Sequence, residues 1–268
     1  MTLTPMHIGL DGNEANVPNR VGSGVYAFEL LKQFSKSKNH KFTVYLKGEP
    51  LKDLPKESEL YKYKVFGPKK LWTQIALPLN LAFGEKPEVF FTMGHYGPRF
   101  ASIPYVVTIH DLSYIHFPEL FNKNDLYQLT NWSKYSINNS AHVIAVSKST
   151  KEDIVKNYKV SPAKITVTYE GYNKDLFKPV PKTRTNPVTD KYNIVGEYII
   201  FVGTLQPRKN IERLIEAFKV VSGVKYQVSR NLKLVSVWKK GGLYDSILEK
   251  AKELGIEKQV AFTGLVPD

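Results

Sequence analysis

The chain has 268 residues, no cysteine and a formal net charge of +13, from 38 lysines and arginines against 25 aspartates and glutamates. The lack of cysteine excludes disulfides, thiolate catalysis and cysteine-ligated metals, and the N-terminal "MTLTPMHIGL" is not typical of a secretory signal peptide. The positive charge favours an anionic partner (a nucleotide, a nucleic acid or an anionic lipid surface) and is equally compatible with simple solubilisation.

Short apolar runs alternate with amphipathic segments over the first two thirds of the chain. This alternation predicts βαβ units and a mainly parallel sheet covered by helices on both faces. The stretch "STKE" at 149–152 predicts a capping box at the start of the last helix of this part. The predicted strands are 7–10, 42–46, 63–66, 89–92, 105–109, 142–146 and 165–169, and the predicted helices are 24–34, 71–82, 125–138 and 149–158.

The longest uncharged apolar-rich run, "LWTQIALPLNLAFG", covers 71–84 and follows two lysines. It is shorter than the roughly 20 residues that a membrane-spanning helix needs. Two interpretations remain, a helix packed in the core, which we favour, and a Trp-bearing segment that docks on a membrane surface.

The stretch "FKPVPKTRTNPVTDKY" at 177–192 interrupts the alternation with three prolines and no periodicity, which predicts a linker. Strands at 198–202, 232–237 and 260–263 follow, with helices at 211–221 and 243–254 between them. We therefore expect an N-terminal domain at 1–178, a linker at 179–192 and a partial C-terminal domain at 193–268. A unit of fewer than 80 residues buries a small fraction of its surface, so we expect the second domain to be incomplete.

The stretch "GTLQPRKN" at 203–210 places Arg208 and Lys209 directly before a predicted helix. Asn210 is the predicted N-cap, whose side-chain oxygen would accept an N–H of the first turn. A helix N-terminus already carries partial positive charge, so two further cations there indicate either a solvated loop or a site where an anion binds between them. The predicted buried face of this helix has the spacing i, i+3, i+4, i+7 and consists of Ile211, Leu214, Ile215 and Phe218.

A glycine pattern, Gly22, Gly24 and Ala27, fits the dinucleotide fingerprint G-x-G-x-x-G/A. That fingerprint requires a tight turn directly after a strand, whereas residues 11–21 intervene here. The pattern therefore indicates a long, flexible, glycine-bearing loop that opens a helix and whose free N–H groups could meet a phosphate or a sugar hydroxyl.

Polar side chains follow three of the predicted strands. His110 and Asp111 follow 105–109, His95 lies just beyond 89–92, and Glu170 directly follows 165–169, where a plain turn is an equally good interpretation. Ligands of open α/β sheets bind at the carboxyl ends of the strands, and a histidine there can donate to an oxygen or carry a proton. The sequence contains no D-x-D pair and its histidines are scattered, so we expect no metal site.

Five segments in this order resemble retaining GT-B glycosyltransferases of the "group 1" nucleotide-sugar-dependent family, mannosyltransferases among them. They are Gly22-Ser23-Gly24, "VVTIHDLSY…FPELF", "AVSKSTKEDIVKNYKVSPAKITVTYEGYNKDLFKP", "FVGTLQPRKNIERLIEAF" and "FTGLVPD". The resemblance implies an α/β protein with two Rossmann-like, doubly wound domains facing across a cleft, the second incomplete here. It also implies transfer of a hexose, mannose included, from a nucleotide-diphosphate sugar to a saccharide or lipid-linked acceptor, with retention.

The resemblance also assigns roles to residues. Arg208 and Lys209, with Gly203 and Thr204, would hold the donor diphosphate; the loop Gly22–Gly24 would lie over the diphosphate and the acceptor; and His110 would lie near the transferred sugar, as the catalytic residue. Asp111, Glu170 and His95 are the further cleft candidates. Cations and a helix N-terminus would stabilise the leaving diphosphate, so no metal and no cofactor beyond the nucleotide-sugar substrate is expected.

The sequence departs from the family at three places. Thr204 stands where relatives carry arginine, Trp238 stands where they carry glycine, and the family's Glu-x7-Glu motif belongs beyond the third strand of the second domain, past Asp268. We therefore expect this chain alone to have weak or no activity.

The expected location is the cytoplasm, with peripheral association with the inner face of the cytoplasmic membrane, and no nucleic-acid partner is expected. Two alternatives remain open at this point. One is an NAD-type oxidoreductase, suggested by the glycine pattern, and the other is a basic module that binds RNA or another anion, suggested by the net charge.

Overall fold

The computed structural model describes residues 4–179, 187–194, 196–205, 209–223, 232–237, 244–264 and 266. The chain forms two compact units, Met1–Tyr172 and Asn173–Asp268, and each is described by itself. Within the described residues, no helix has the length and apolar character that crossing a bilayer requires.

The first unit is built on a seven-stranded sheet in which every pair of neighbours is parallel. Its strands are β1 His7–Asp11, β2 Lys41–Leu46, β3 Tyr61–Val65, β4 Val89–Thr92, β5 Tyr105–Ile109, β6 His142–Ala145 and β7 Ile165–Val167. Their order is β3-β2-β1-β4-β5-β6-β7. The winding direction reverses between β1 and β4, and such a reversal opens a crevice at the carboxyl ends of the two strands.

The described residues of the first unit contain five α-helices. They are α1 Ser23–Phe34, α2 Leu77–Phe83, α3 Ser113–His116, α4 Lys123–Asn139 and α5 Lys148–Tyr158, and a π-helical turn, Trp72–Ala76, runs directly into α2. The single helix predicted at 71–82 is therefore two segments of different pitch. Pro78 lacks the N–H that would bond to the carbonyl of Gln74, and the wider turn lies immediately before it.

The capping box predicted at 149–152 is wrong. The N-cap of α5 is Ser147, whose Oγ accepts a hydrogen bond from the N–H of Thr150 at 3.0 Å. The Ser147 hydroxyl also lies 2.9 Å from the Thr150 hydroxyl. The N-cap therefore lies two residues before the predicted one, because the Ser147 hydroxyl makes the bond that was predicted for Ser149.

Apolar side chains cover both faces of the seven-stranded sheet. One cluster joins α2, α4 and α5 to the sheet, with Leu77, Ile137 and Ile154 all fully buried. The other packs α1 onto the opposite face through Leu31 and its neighbours. The predicted double-sided parallel sheet is confirmed, since a sheet with one bare face would leave alternate side chains exposed.

The second unit has a three-stranded parallel sheet, β8 Tyr198–Val202, β9 Lys233–Val237 and β10 Val260–Gly264, in the order β10-β9-β8. Its helices are α6 Pro187–Lys191, α7 Ile211–Ser222 and α8 Tyr244–Glu253, and α6 falls within the segment predicted as a linker. The predicted buried face of α7 is confirmed, with Leu214 packed against a core that contains the other three residues.

The predicted cap of α7 is wrong. Asn210 precedes the helix in the left-handed region, with φ 54° and ψ 43°, and its side chain makes no capping hydrogen bond. A capping side chain needs extended backbone at its own position to reach back to the first-turn amides. Asparagine tolerates the left-handed conformation, so Asn210 turns the chain into the helix without capping it.

Candidate functional site

His110 lies at the carboxyl end of β5, beside the reversal of strand order. Its Nε2 is 3.0 Å from the carbonyl oxygen of Met93, just beyond β4, and its Nδ1 is 3.3 Å from Oε1 of Glu170. A carbonyl can only accept, so Nε2 carries a hydrogen and donates it to Met93. The Nδ1 edge is therefore directed to the carboxylate of Glu170, and the side chain stays 15% exposed.

Aromatic rings enclose His110. The ring of Tyr26, from α1, meets it edge-on at a centroid distance of 4.9 Å, and the ring of His95 stacks on it at 5.8 Å and 26°. Burial, with a smaller contribution from the neighbouring His110, lowers the pKa of His95 to about 4, so His95 is neutral near pH 7. Among the described residues no hydrogen-bond partner reaches His95 Nδ1. The structure thus brings together three of the predicted cleft residues, His95, His110 and Glu170.

Asp111 is directed to the backbone. Its Oδ1 accepts a hydrogen bond from the N–H of Ser113, at the start of α3, at 2.8 Å. This short helix follows the β5 end directly and had not been predicted from the sequence. The bond fixes the chain just after His110. Asp111 therefore stabilises the backbone beside the site.

The turn Gly22-Ser23-Gly24 starts α1 and borders an open pocket of about 310 Å³, which Glu14 and Lys47 also line. The Ser23 hydroxyl donates to Glu14 Oε2 at 3.0 Å. A Cβ on Gly24 would lie 3.0 Å from the Glu14 carbonyl oxygen, so a side chain there would push the helix off the loop. Within the described part of the chain, no acceptor bonds the backbone N–H of Ser23.

The loop between β1 and α1 is anchored, which corrects the expectation that it is flexible. Asn13 and Asn16 each accept a backbone N–H of the segment 47–53 through the side-chain oxygen, at 2.9 Å. Arg20 pairs with Asp53 and lies 4.1 Å from the centroid of the Phe28 ring. Such bonds join residues more than thirty positions apart, and no local pattern in the sequence predicts them.

Asp11 is a buried carboxyl that the sequence reasoning did not single out. Its Oδ1 accepts from the backbone N–H of Asn13 at 3.0 Å and from the Asn13 side-chain amide at 2.7 Å. Burial raises the pKa of Asp11 to about 6, and the Asn13 bonds offset only part of that effect. The signal for Asp11 in the sequence is its place at the last position of β1. Glu14, three residues further on, lines the pocket, and Tyr26 lies about one helical turn into α1; the sequence analysis predicts neither as a site residue.

Replacing Gly22 by alanine is expected to destabilise the first unit by about 1–3 kcal/mol. Gly22 has φ +51°, where a side chain is strained, although no atom lies within 4 Å of an added Cβ. The matched control is Gly171→Ala, where the space is equally open and φ is not in the positive region. Chemical denaturation of both variants measures the difference, and equal stabilities would contradict the prediction.

In the second unit, Gly203 donates its N–H to the carbonyl of Val237 at 3.1 Å, and an added Cβ would meet the Phe201 ring at 3.1 Å. Thr204 is half-buried, and Lys209 is exposed directly before Asn210 and α7. The predicted diphosphate residue Arg208 and the departure at Trp238 lie outside the described residues. No three acidic or histidine side chains of the described residues are grouped closely enough to hold a metal ion.

Two family models match the chain. Residues 21–176 match the model described as "Glycosyltransferase Family 4", and residues 190–268 match "Glycosyl transferases group 1". An O-antigen chain mannosyltransferase B from Escherichia coli is 25% identical over 184 residues, 65% of this chain and 46% of that protein. The O-antigen chain mannosyltransferase RfbU from Salmonella typhimurium is 30% identical over 148 residues, 55% of this chain and 37% of that protein. The match thus spans less than half the length of these relatives.

Solved structures resemble the chain in fold. The crystal structure of Anabaena HepE in complex with UDP-glucose aligns with a TM-score of 0.64 at 17% identity, covering 98% of this chain and 70% of that one. That of WaaG, a glycosyltransferase involved in lipopolysaccharide biosynthesis, aligns with a TM-score of 0.62 at 15% identity, covering 98% and 71%.

Proposed function

Because the chain belongs to Glycosyltransferase Family 4 and has a GT-B-type α/β fold, we propose that it transfers a hexose from a nucleotide-diphosphate sugar to a saccharide or lipid-linked acceptor, with retention. The observation that carries the proposal is the position of His110, held at the carboxyl end of β5 by Met93 beside the strand-order reversal. The named relatives are mannosyltransferases, which makes mannose the first sugar to test.

We assign His110 to the transferred sugar. The Met93 carbonyl fixes its tautomer and the ring of Tyr26 fixes its plane, so the Nδ1 edge, where Glu170 now lies, is the polar edge available to a sugar oxygen. Because Nε2 carries the hydrogen, Nδ1 of that tautomer would accept a hydrogen bond from a sugar hydroxyl, and a group held in place before the reaction acts without reorganisation. The leaving phosphate itself would help to deprotonate the acceptor, so no protein nucleophile is required.

We assign the start of α1 to the donor phosphates and the acceptor. The N–H of Ser23 opens the helix beside a pocket that also holds the Lys47 side chain. Free amides at a helix N-terminus favour anions. The Ser23–Glu14 bond would have to yield or be shared when a ligand hydroxyl enters.

We assign the diphosphate of the donor to Lys209 and Arg208, with Gly203 and Thr204. The exposed Lys209 adds its charge to the N-terminus of α7, whose Asn210 leaves the first-turn amides without a side-chain cap. A phosphate placed there would interact with the Lys209 ammonium group and accept hydrogen bonds from the first-turn amides.

Replacing Lys209 by alanine is expected to weaken binding of GDP or UDP by about 10- to 100-fold, since hydrogen bonds to charged groups contribute about 1.5–3 kcal/mol. Lys219→Ala is the matched control, because Lys219 is exposed in the last turn of the same helix. Titration calorimetry at one fixed salt concentration compares the two variants. If both lose the same affinity, the effect is general charge and the assignment of Lys209 is wrong.

The whole proposal is tested by incubating the purified chain with GDP-mannose and UDP-glucose and following sugar transfer to saccharide and lipid-linked acceptors. NMR of the product would show whether the anomeric configuration is retained. Binding of NAD with no response to either nucleoside diphosphate would contradict it. The pattern of Gly22, Gly24 and Ala27 lies beyond ten further residues after β1, so it does not form the tight turn of a dinucleotide site.

We further propose the domain boundaries 1–178, 179–192 and 193–268, and a cytoplasmic location with peripheral attachment to the inner face of the cytoplasmic membrane. Limited proteolysis that cuts within 179–192 before any other segment would support the boundaries. Early cuts elsewhere would overturn them.

A further inference from the structure

The helical segment 71–83 carries apolar side chains on both of its faces. Trp72, Leu77 and Leu81 are buried in the core of the first unit. On the opposite side, an outer ridge of four residues spaced four apart faces solvent. The ridge consists of Leu71, Ile75, Leu79 and Phe83.

The exposure of the outer ridge is large. Leu79 is 54% exposed and Phe83 is 87% exposed, and the other two residues are about half exposed. A helix that covers a sheet normally turns polar residues to water on this side. Contiguous exposed apolar side chains on a soluble unit mark a surface that meets a partner.

A second exposed phenylalanine belongs to the loop beside this helix. Phe100 is 82% exposed and has a left-handed backbone, with φ 51°, a conformation that is strained for a bulky residue. Its N–H donates to the Tyr135 hydroxyl at 2.9 Å, and the Ser102 hydroxyl donates to the Leu81 carbonyl at 3.0 Å. The loop is therefore tied to the last turns of α2 and α4 while it presents a phenyl ring to solvent.

Lysines outnumber carboxylates in the sequence around the outer ridge. Between Tyr61 and Gly84 the sequence contains four lysines and no carboxylate. Lys69 and Lys70 are exposed directly before the ridge, and Lys86 is exposed after it. The nearest following carboxylate, Glu85, is engaged at 2.6 Å by Lys41.

We propose that the outer ridge, with Phe100, docks the first unit on an anionic lipid surface. The ridge is a convex row of aliphatic and phenyl groups without a hydrogen-bonding side chain among them, which suits the acyl boundary of a bilayer. The lysines at both of its ends suit anionic headgroups, each adding attraction within a Debye length of the surface. This site extends the proposed function, because it would bring the first unit to a lipid-linked acceptor.

The surface is tested by sedimentation of the whole chain with phosphatidylcholine vesicles that contain or lack phosphatidylglycerol. The wild-type chain is expected to bind the anionic vesicles more tightly, and the variant Leu79→Gln/Phe83→Gln to bind them at least about tenfold more weakly, since each loses apolar burial. The variant Lys69→Gln/Lys70→Gln is expected to lose affinity for the anionic vesicles and part of the salt dependence.

The control is Val220→Gln/Val221→Gln, which replaces two exposed apolar residues at the end of α7 in the second unit. It is expected to bind within about twofold of the wild-type chain. Equal binding by the ridge and control variants, or no binding by the wild type, overturns the proposal. So does a wild-type dimer that the ridge variant converts to monomer without any vesicle binding, which would assign the ridge to a second copy of the chain. None of these readouts requires sugar transfer, so failure of the surface and failure of the proposed activity are distinguishable.

Discussion

Replacing His110 by glutamine is expected to lower whatever rate of sugar transfer the unchanged chain supports by about 10²–10³-fold, the order of effect of removing one preorganised hydrogen-bonding group. Glutamine can keep the hydrogen bond to the Met93 carbonyl that His110 Nε2 makes at 3.0 Å. It cannot keep the second ring nitrogen, which lies 3.3 Å from Glu170. The loss should therefore fall mainly on kcat, with nucleotide affinity nearly unchanged.

His116→Gln is the matched control for this variant. His116 has the same chemistry and a similar carboxylate contact, 2.9 Å to Asp153, but its side chain is 45% exposed and lies beyond the strand ends. The control should retain transfer within about twofold. If the two variants lose equal activity, or if His110→Gln fails only by unfolding, the assigned role of His110 is wrong; thermal unfolding of both variants separates these cases.

Replacing Asp11 by asparagine is expected to stabilise the first unit above pH 6 by up to roughly 3 kcal/mol, the equivalent of a pKa moved from 3.8 to about 6. Because the folded pKa is raised, the native state holds a proton that the unfolded state has released between these two values. The contribution of Asp11 to the free energy of unfolding is complete below pH 3.8 and is lost as pH rises through about 6. Asparagine keeps an oxygen for the two bonds from Asn13 and carries no charge to bury.

His95 acts in the opposite direction over almost the same range. Its pKa falls from 6.5 to about 4 on folding, so its contribution is present above pH 6.5 and is lost as pH falls through about 4. The two contributions oppose each other between pH 4 and 6. Asp11→Asn should therefore make the protein more acid-sensitive, and His95→Phe, which keeps a ring against His110, should make it less so.

Denaturant unfolding at several values between pH 4.5 and 8 would measure both slopes. The double variant is the control: because the two contributions oppose each other in the wild-type chain, its stability curve should run nearly parallel to the wild-type curve over this range. If the Asp11→Asn curve runs parallel to that of the wild type, Asp11 does not titrate as a buried group, and the linkage argument for it is wrong.

The strands were the part of the fold most open to sequence reasoning. β4, β5 and β8 have the predicted bounds, because strands of a parallel sheet are continuous apolar runs with polar residues at their ends. Helix starts were harder, since both Ser147 and Ser149 offer a capping hydroxyl and only the packed structure selects one. The π-helical turn before α2 depends on the position of Pro78 relative to the buried face of the helix. A hydropathy pattern does not predict that position.

The residues of the candidate site that follow strands could be predicted from the sequence. His95, His110 and Glu170 each follow a strand, and parallel strands bring their carboxyl ends to one edge, so their proximity followed from topology. Asp11 and Glu14 belong to no motif, and only the place of Asp11 at the end of β1 marks it in the sequence. The orientation of the Asp111 side chain could not be predicted from the sequence, because its partner is the backbone N–H of Ser113, which every non-proline residue offers.

The anchoring of the β1–α1 loop has a consequence for how a ligand would bind. Asn13, Asn16 and Arg20 hold the loop to the segment 47–53 through hydrogen bonds and an ion pair within the protein, so the protein itself orients the amide of Ser23 and the backbone of Gly22. A ligand that meets this turn would lose little conformational entropy of the loop. Its association would be set by diffusion and charge instead of by loop closure, and substitutions at the three anchors would slow binding without touching the ligand.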